Sequence, residues 1–272
     1  MLCKANTLKG YTLDSLDGEI GKVKEFYFDD QHWTIRYLVA DTGNWLVNRQ
    51  VLISPHALVT INKEEHHITI NLAKKQIEES PSLESDKPVS RQFEENYYEY
   101  YGWPMYWDGP YLWGSFYTPY MVRNYDKLSE STHYENTWNP HLRSTIRNHE
   151  ELRKFTQDED TWDPHLRSTQ YVSGYHVQAM DDEIGHIEDF VIDDETWTIR
   201  YLIINTRNWW PGKKVLISPQ WIESVSWGES KVFVNLSRET IKESPEYTDE
   251  LLLTRDYETG LHRHYKRPGY WV

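Results

Sequence analysis

The eleven residues Asp29–Val39, DDQHWTIRYLV, recur as DDETWTIRYLI at Asp193–Ile203, 164 positions later. The offset holds well beyond them: Glu19-Ile20-Gly21 falls on Glu183-Ile184-Gly185, and Ser80-Pro81 on Ser244-Pro245. A catalytic motif is seldom copied intact, whereas self-similarity at a fixed spacing marks a duplicated folding unit. Within the stretch, Trp33, Ile35, Tyr37 and Val39 alternate with Thr34, Arg36, Leu38 and Ala40, the period of two expected of a half-buried strand. Ahead of it, Glu19–Phe28 reads as a second strand that begins after the turn dipeptide Asp17-Gly18. Asp29-Asp30-Gln31-His32 has the length and chemistry of the connecting hairpin turn.

Farther along, Val51-Leu52-Ile53 ends at Ser54-Pro55, where proline removes a ladder donor, and Ile68–Leu72 supplies a last strand. Ser237–Pro245, SRETIKESP, offers a serine cap, one helical turn and a terminating proline. Five or six short strands in about 80 residues imply a small barrel or sandwich. Two such modules account for 272 residues better than one large domain. The predicted organisation is a first unit over residues 1–107 with a C-terminal aromatic extension, a linker over 108–160, and a second unit over 161–272. The linker carries a predicted amphipathic helix at Ile146–Phe155.

The ordered blocks Gly18-Glu19-Ile20-Gly21-Lys22-Val23, Phe26–Asp30, Trp33–Val39 and Val51–Pro55 resemble the PRC-barrel domain. This β-barrel is known from the cytoplasmic part of the photosynthetic reaction centre H subunit and from the C-terminal end of a ribosome maturation factor. The second copy, Pro164–Ile222, is similar throughout. The first departs where NTRNWWPGKKV becomes DTGNWLVNRQV, without counterparts of Trp210, Pro211 and Gly212. The resemblance implies a mainly β fold of two PRC-like β-barrels joined by an aromatic-rich, partly helical linker. It also implies a docking or assembly role with no shared catalytic motif, and peripheral contact with a membrane complex is compatible with it.

Composition narrows the classes further. With 29 Lys+Arg against 43 Asp+Glu the formal charge is −14, unsuited to nucleic acid, whose phosphates call for clustered basic side chains. Lys266-Arg267 beside His262 and His264 is the best candidate for a basic sub-patch, and it reads as a solvated tail. One cysteine, Cys3, permits no internal disulfide and fits a reducing compartment. No apolar run reaches the roughly 18 residues of a membrane span, and the N-terminal residues lack a signal-like core, so a cytoplasmic protein is expected.

Arg36 and Arg200 lie inside strands in identical contexts and read either as partner-binding cations or as arginines paired to a nearby carboxylate. Asp29-Asp30 and Asp193-Asp194 serve turn chemistry before metal binding. The twelve histidines, including His66-His67, show no zinc spacing. No metal, cofactor or catalytic residue is expected. A shorter duplication, TWNPHLRST (Thr137–Thr145) and TWDPHLRST (Thr161–Thr169), reads as a docking tag or a repeated linker, with Trp162 and Leu166 sealing the second barrel.

Thirteen Trp and twenty Tyr concentrate attention on Tyr97–Met121, an irregular run broken by Gly and Pro. Part of it recurs near the end as Arg267-Pro268-Gly269-Tyr270-Trp271 and reads as a barrel cover. The unrepeated part, with the tag, supplies a candidate interaction surface: Tyr111, Trp113, Phe116, Tyr117, Tyr120, Trp138 and His141. The expected function is a non-enzymatic assembly or adaptor protein that binds a protein partner or self-associates. Small-molecule or carbohydrate binding on the Tyr/Trp surface is the alternative.

Overall fold

A computed structural model describes residues 1–43, 45–46, 49–81, 89–122, 165–206 and 212–272. The first repeat contains β1 (Leu2–Lys4), β2 (Thr12–Ser15), β3 (Gly18–Asp29), β4 (Thr34–Asp41), β5 (Gln50–Ile53), β6 (Leu58–Asn62) and β7 (His67–Ile70). The second contains β8 (Leu166–Ser168), β9 (His176–Gln178), β10 (Glu183–Asp193), β11 (Ile199–Asn205), β12 (Lys214–Ile217), β13 (Ile222–Ser226) and β14 (Lys231–Val234). Helices α1 (Ala5–Leu8), α2 (Lys74–Glu78) and α3 (Arg91–Tyr101) are matched by α4 (Thr169–Val172), α5 (Arg238–Lys242) and α6 (Arg255–His264).

Each repeat builds a sheet of the same order, β5-β4-β3-β2-β7-β6 and β12-β11-β10-β9-β14-β13. Among the described residues only β2–β7 and β9–β14 run parallel. In the first sheet the 3₁₀ turn Pro55–Ala57 links β5 to β6, and no ladder joins those two strands. Phe26, Leu38, Ile53 and Ile68, with Phe190, Leu202, Ile217 and Val232 in the second sheet, are fully buried. Gly21 and Gly185 are required where the long strands bend. A Cβ at either would sit 2.1 Å from the carbonyl oxygen of Asp41 or Asn205, and their φ values are +136° and +146°.

The two units do not close by themselves, as the sequence reading had them do. On the side of β3 away from β4, β2 covers only Gly18–Lys22. The other end, Tyr27–Asp29, would be an open edge, and β8 of the second repeat pairs there. In return β1 pairs with Val191–Asp193 of β10. Each seventh strand is therefore donated by the other repeat, and Leu166 seals the first sheet rather than the second. The exchange also crosses the domain limits drawn from sequence.

The hairpin tips complete the interlock. Thr34 and Thr198 form an antiparallel bridge. The Ile35 amide donates to the Trp197 carbonyl at 2.8 Å, and the Ile199 amide to the Trp33 carbonyl at 2.7 Å. Both tryptophans adopt the left-handed region, φ 51° and 61°, which costs an ordinary residue roughly 1–2 kcal/mol. These reciprocal bonds give each conformation a native partner. Phe28 and Phe190 meet at the same seam with ring centroids 6.0 Å apart.

Strand β4 is buried from Thr34 to Ala40, not on one face alone. Tyr97 and Tyr98 of α3 cover Tyr37 edge-on, at 5.4 and 6.3 Å between centroids, and the chain after α3 covers Arg36. Lys266-Arg267 follows α6 with both residues exposed, while the neighbouring His262 is buried and bonded through Nδ1 to the Pro268 carbonyl at 2.8 Å. At the end of α3, Gly102 holds the left-handed turn, and Lys266 takes its place after α6 with φ 53°.

Candidate functional site

The same polar cluster is built in both repeats. Arg36 Nε donates to Asp29 at 2.6 Å with its guanidinium 3.9 Å over the Tyr106 ring. Arg200 binds Asp193 at 2.7 Å and lies 4.0 Å over Tyr270. Beneath each, a helix carboxylate gathers two tyrosine hydroxyls. Glu94 accepts from Tyr37 (2.7 Å) and Tyr106 (3.1 Å), and Glu258 from Tyr201 (3.0 Å) and Tyr270 (2.9 Å). Arg91 and Arg255 pair with these carboxylates at 3.2 and 3.1 Å.

Burial pushes the Asp29 pKa up, but the Arg36 charge and the hydrogen bonds from His32 outweigh it and hold the carboxylate below its ordinary range. Asp193 is lowered in the same way, Arg200 overcoming desolvation. Burial, then the adjoining glutamate charge, pushes the hydroxyls of Tyr37 and Tyr201 far up. Paired ions and neutral phenols make a rigid scaffold.

The repeats differ in what lies on top of Arg36 and Arg200. In the first, Tyr111–Val122 folds over the cluster as a tongue. The Leu112 carbonyl accepts from Arg36 Nη1, and the Trp113 ring lies 5.0 Å from His56 and edge-on to it. The Pro119 carbonyl is bonded to His56 Nδ1 at 3.0 Å. The tongue also reaches the second repeat: Trp113 Nε1 donates to the Thr196 carbonyl (3.0 Å), Tyr120 Oη to the Asp194 carbonyl (2.9 Å), and Trp197 Nε1 to Tyr120 Oη (3.0 Å). Burial displaces His56 down to about 4, against the opposing pull of the Pro119 carbonyl, so it is neutral.

In the second repeat the equivalent place is an open groove of about 640 Å³. Arg200, Gln220, Trp227 and Tyr270 line it, together with Trp33 and His165 from across the seam. Arg167 stacks 4.2 Å over Trp227 as part of the same wall. The Arg36 side chain is 1% exposed and that of Arg200 16%. His56 is buried, while its counterpart Gln220 is exposed.

These placements divide the sequence-derived surface. Trp113 is fully buried and Tyr120 half-buried with its hydroxyl bonded, so both fill the first groove and neither belongs to an exposed surface. Phe116 is half-buried. Tyr111 and Tyr117 are exposed with ring centroids 4.0 Å apart. Trp138, His141 and the Ile146–Phe155 helix lie outside the described residues. Gln220, Trp227 and Tyr270 were missed. The signal was the substitution of Gln220 for His56 and Trp227 for Lys63 at the fixed offset.

Among the described residues no group of three or more His, Cys, Asp or Glu could hold a metal ion, and no helix is long and apolar enough to cross a membrane. The family model of the PRC-barrel domain matches residues 4–77 and 172–241, more than half of the chain, once in each repeat. The chain therefore belongs to the PRC-barrel family. No curated protein matches it.

Proposed function

We propose that this PRC-barrel protein is a non-enzymatic assembly or adaptor protein that docks a protein partner on its second repeat. The carrying observation is the open groove beside Arg200, whose counterpart beside Arg36 is occupied by protein chain. Its size falls within the usual range of roughly 300–1,000 Å³ for binding clefts. The interlocked sheets supply a stiff support, because the groove walls belong to both repeats and cannot separate without breaking the seam.

A photo-crosslinking residue at Gln220, exposed in the groove, is the direct experiment, with Glu64, exposed on the first repeat away from the groove, as control. Covalent capture of a discrete protein in cells from Gln220 but not from Glu64 is expected. Equal labelling at the two positions, or none, contradicts the reading. The exposed ring pair Tyr111–Tyr117 favours the second reading, small-molecule or carbohydrate stacking. A thermal-shift screen with oligosaccharides, repeated on Tyr117→Ala, checks it: a midpoint rise abolished by the substitution supports sugar binding, and no rise counts against it.

A further inference from the structure

The tongue over the first repeat shows what the second groove is built to hold. We infer that the groove beside Arg200 binds an uncharged, turn-rich protein segment bearing tryptophan and tyrosine, of the same chemistry as Tyr111–Val122 but supplied by a different protein. The inference rests on the adaptor reading and gives its partner a chemical class.

Four of the tongue's polar contacts have a counterpart position in the open groove. Arg36 Nη1 donates to the Leu112 carbonyl, and Arg200 Nη1 makes no hydrogen bond among the described residues. Trp197 Nε1 donates to the Tyr120 hydroxyl. Trp33, its mate, is only 8% exposed, lines the groove, and its indole N–H has no partner among the described residues. An indole N–H on the wall of a groove can donate to an occupant. The Asp30 carbonyl is the equivalent of the Asp194 carbonyl that accepts from Tyr120, and Gln220 stands where His56 holds a tongue carbonyl. Trp227 replaces Lys63 and adds an aromatic wall that the first groove lacks.

Charge and access narrow the occupant. Tyr111–Val122 contains no charged residue, and the groove sets Asp30 and Glu223 against Arg167 and Arg200 in near balance. A neutral aromatic segment fits it better than an acidic or basic one. The groove is also continuous with the established seam, since the first tongue already bridges the repeats through Thr196, Asp194 and Trp197. A second copy is a poor donor, because its own Trp113 is fully buried in its own first groove.

The experiment titrates the full chain with a synthetic dodecapeptide of the sequence Tyr111–Val122, followed by calorimetry and by the indole N–H resonance of Trp33. One equivalent is expected to bind and to shift that resonance. Gln220→Trp, a filling change at an exposed position compatible with folding, is expected to abolish binding. Replacing the peptide tyrosine equivalent to Tyr120 by phenylalanine is expected to weaken it about tenfold, the worth of one buried hydrogen bond. Absence of binding, or binding indifferent to Gln220→Trp, overturns the inference. So does preferential binding of a Thr137–Thr145 peptide, or a chain dimer dissolved by Gln220→Trp, each of which gives the groove another occupant. Protein capture at Gln220 without peptide binding refutes only the aromatic-segment class. Peptide binding without capture refutes the adaptor reading and leaves the groove assigned.

Discussion

Replacing Arg36 and Arg200, one at a time, by methionine perturbs two side chains that share the sequence Thr-Ile-Arg-Tyr-Leu. The structure gives them unequal weight. Arg36 is 1% exposed, paired to an Asp29 carboxylate that is itself buried, stacked over Tyr106, and bonded to the Leu112 carbonyl. Its loss leaves the buried carboxylate with only its His32 bonds and strands a tongue carbonyl, and removing one partner of such a buried pair costs about 3–5 kcal/mol. Arg200 is 16% exposed, and Asp193 keeps the Glu195 amide at 3.1 Å and the Thr196 hydroxyl at 2.9 Å. That loss is worth about 1–2 kcal/mol, near the value of a charge-assisted hydrogen bond with partial solvent screening. Urea unfolding followed by tryptophan fluorescence measures both, the midpoint shift multiplied by a common slope. A gap of about 2–3 kcal/mol is expected, Arg36→Met being the weaker protein. Costs equal within about 0.5 kcal/mol would refute the reasoning, because the tongue would then not seal the first cluster.

Asp189 lies at the strand exchange, accepting from the amides of Asn6 and Phe190, and burial lifts it to about 6 despite those bonds. The folded chain therefore keeps a proton there that the unfolded chain releases near 4, so stability falls as pH rises between about 4 and 6 and the loss is complete above that window. Asp189→Asn is expected to raise stability at pH 7.5 by up to about 3 kcal/mol and to change little at pH 3.5; thermal melts across pH decide it, and a stabilisation independent of pH would remove the cause given. At the α6 terminus, Lys266→Gly relieves a left-handed lysine and should add about 0.5–1 kcal/mol, whereas Gly102→Ala at the matched position should cost about 1 kcal/mol; chemical denaturation of both variants reads the opposite signs.

The hairpin Glu19–Ala40 and its copy were legible because alternation, turn residues and the fixed offset agree on one answer. The exchange of β1 and β8 was not. Leu2–Lys4 and Leu166–Ser168 are three residues long, too short for a period to declare which edge they join. That choice is made by the open ends of β3 and β10. The burial of Arg36 was hidden for a related reason: its cover, Trp113, is 77 residues away in sequence and in irregular chain. For the candidate site, Tyr111–Val122 was visible as an aromatic anomaly, but nothing local separates a tongue that fills a groove from a patch that faces solvent. Gln220 and Trp227 carry no motif, and their meaning comes only from comparison with the filled groove of the first repeat.

The most direct measurement of the interlocked architecture is to place a specific protease site between residues 122 and 165, cut the purified protein and follow it by size-exclusion chromatography with light scattering. With β1 held on β10, β8 on β3 and the Trp33 and Trp197 carbonyls bonded across the seam, the two fragments should migrate as one particle of unchanged mass and melt in one transition. Two separate folded fragments, each melting on its own, would contradict it.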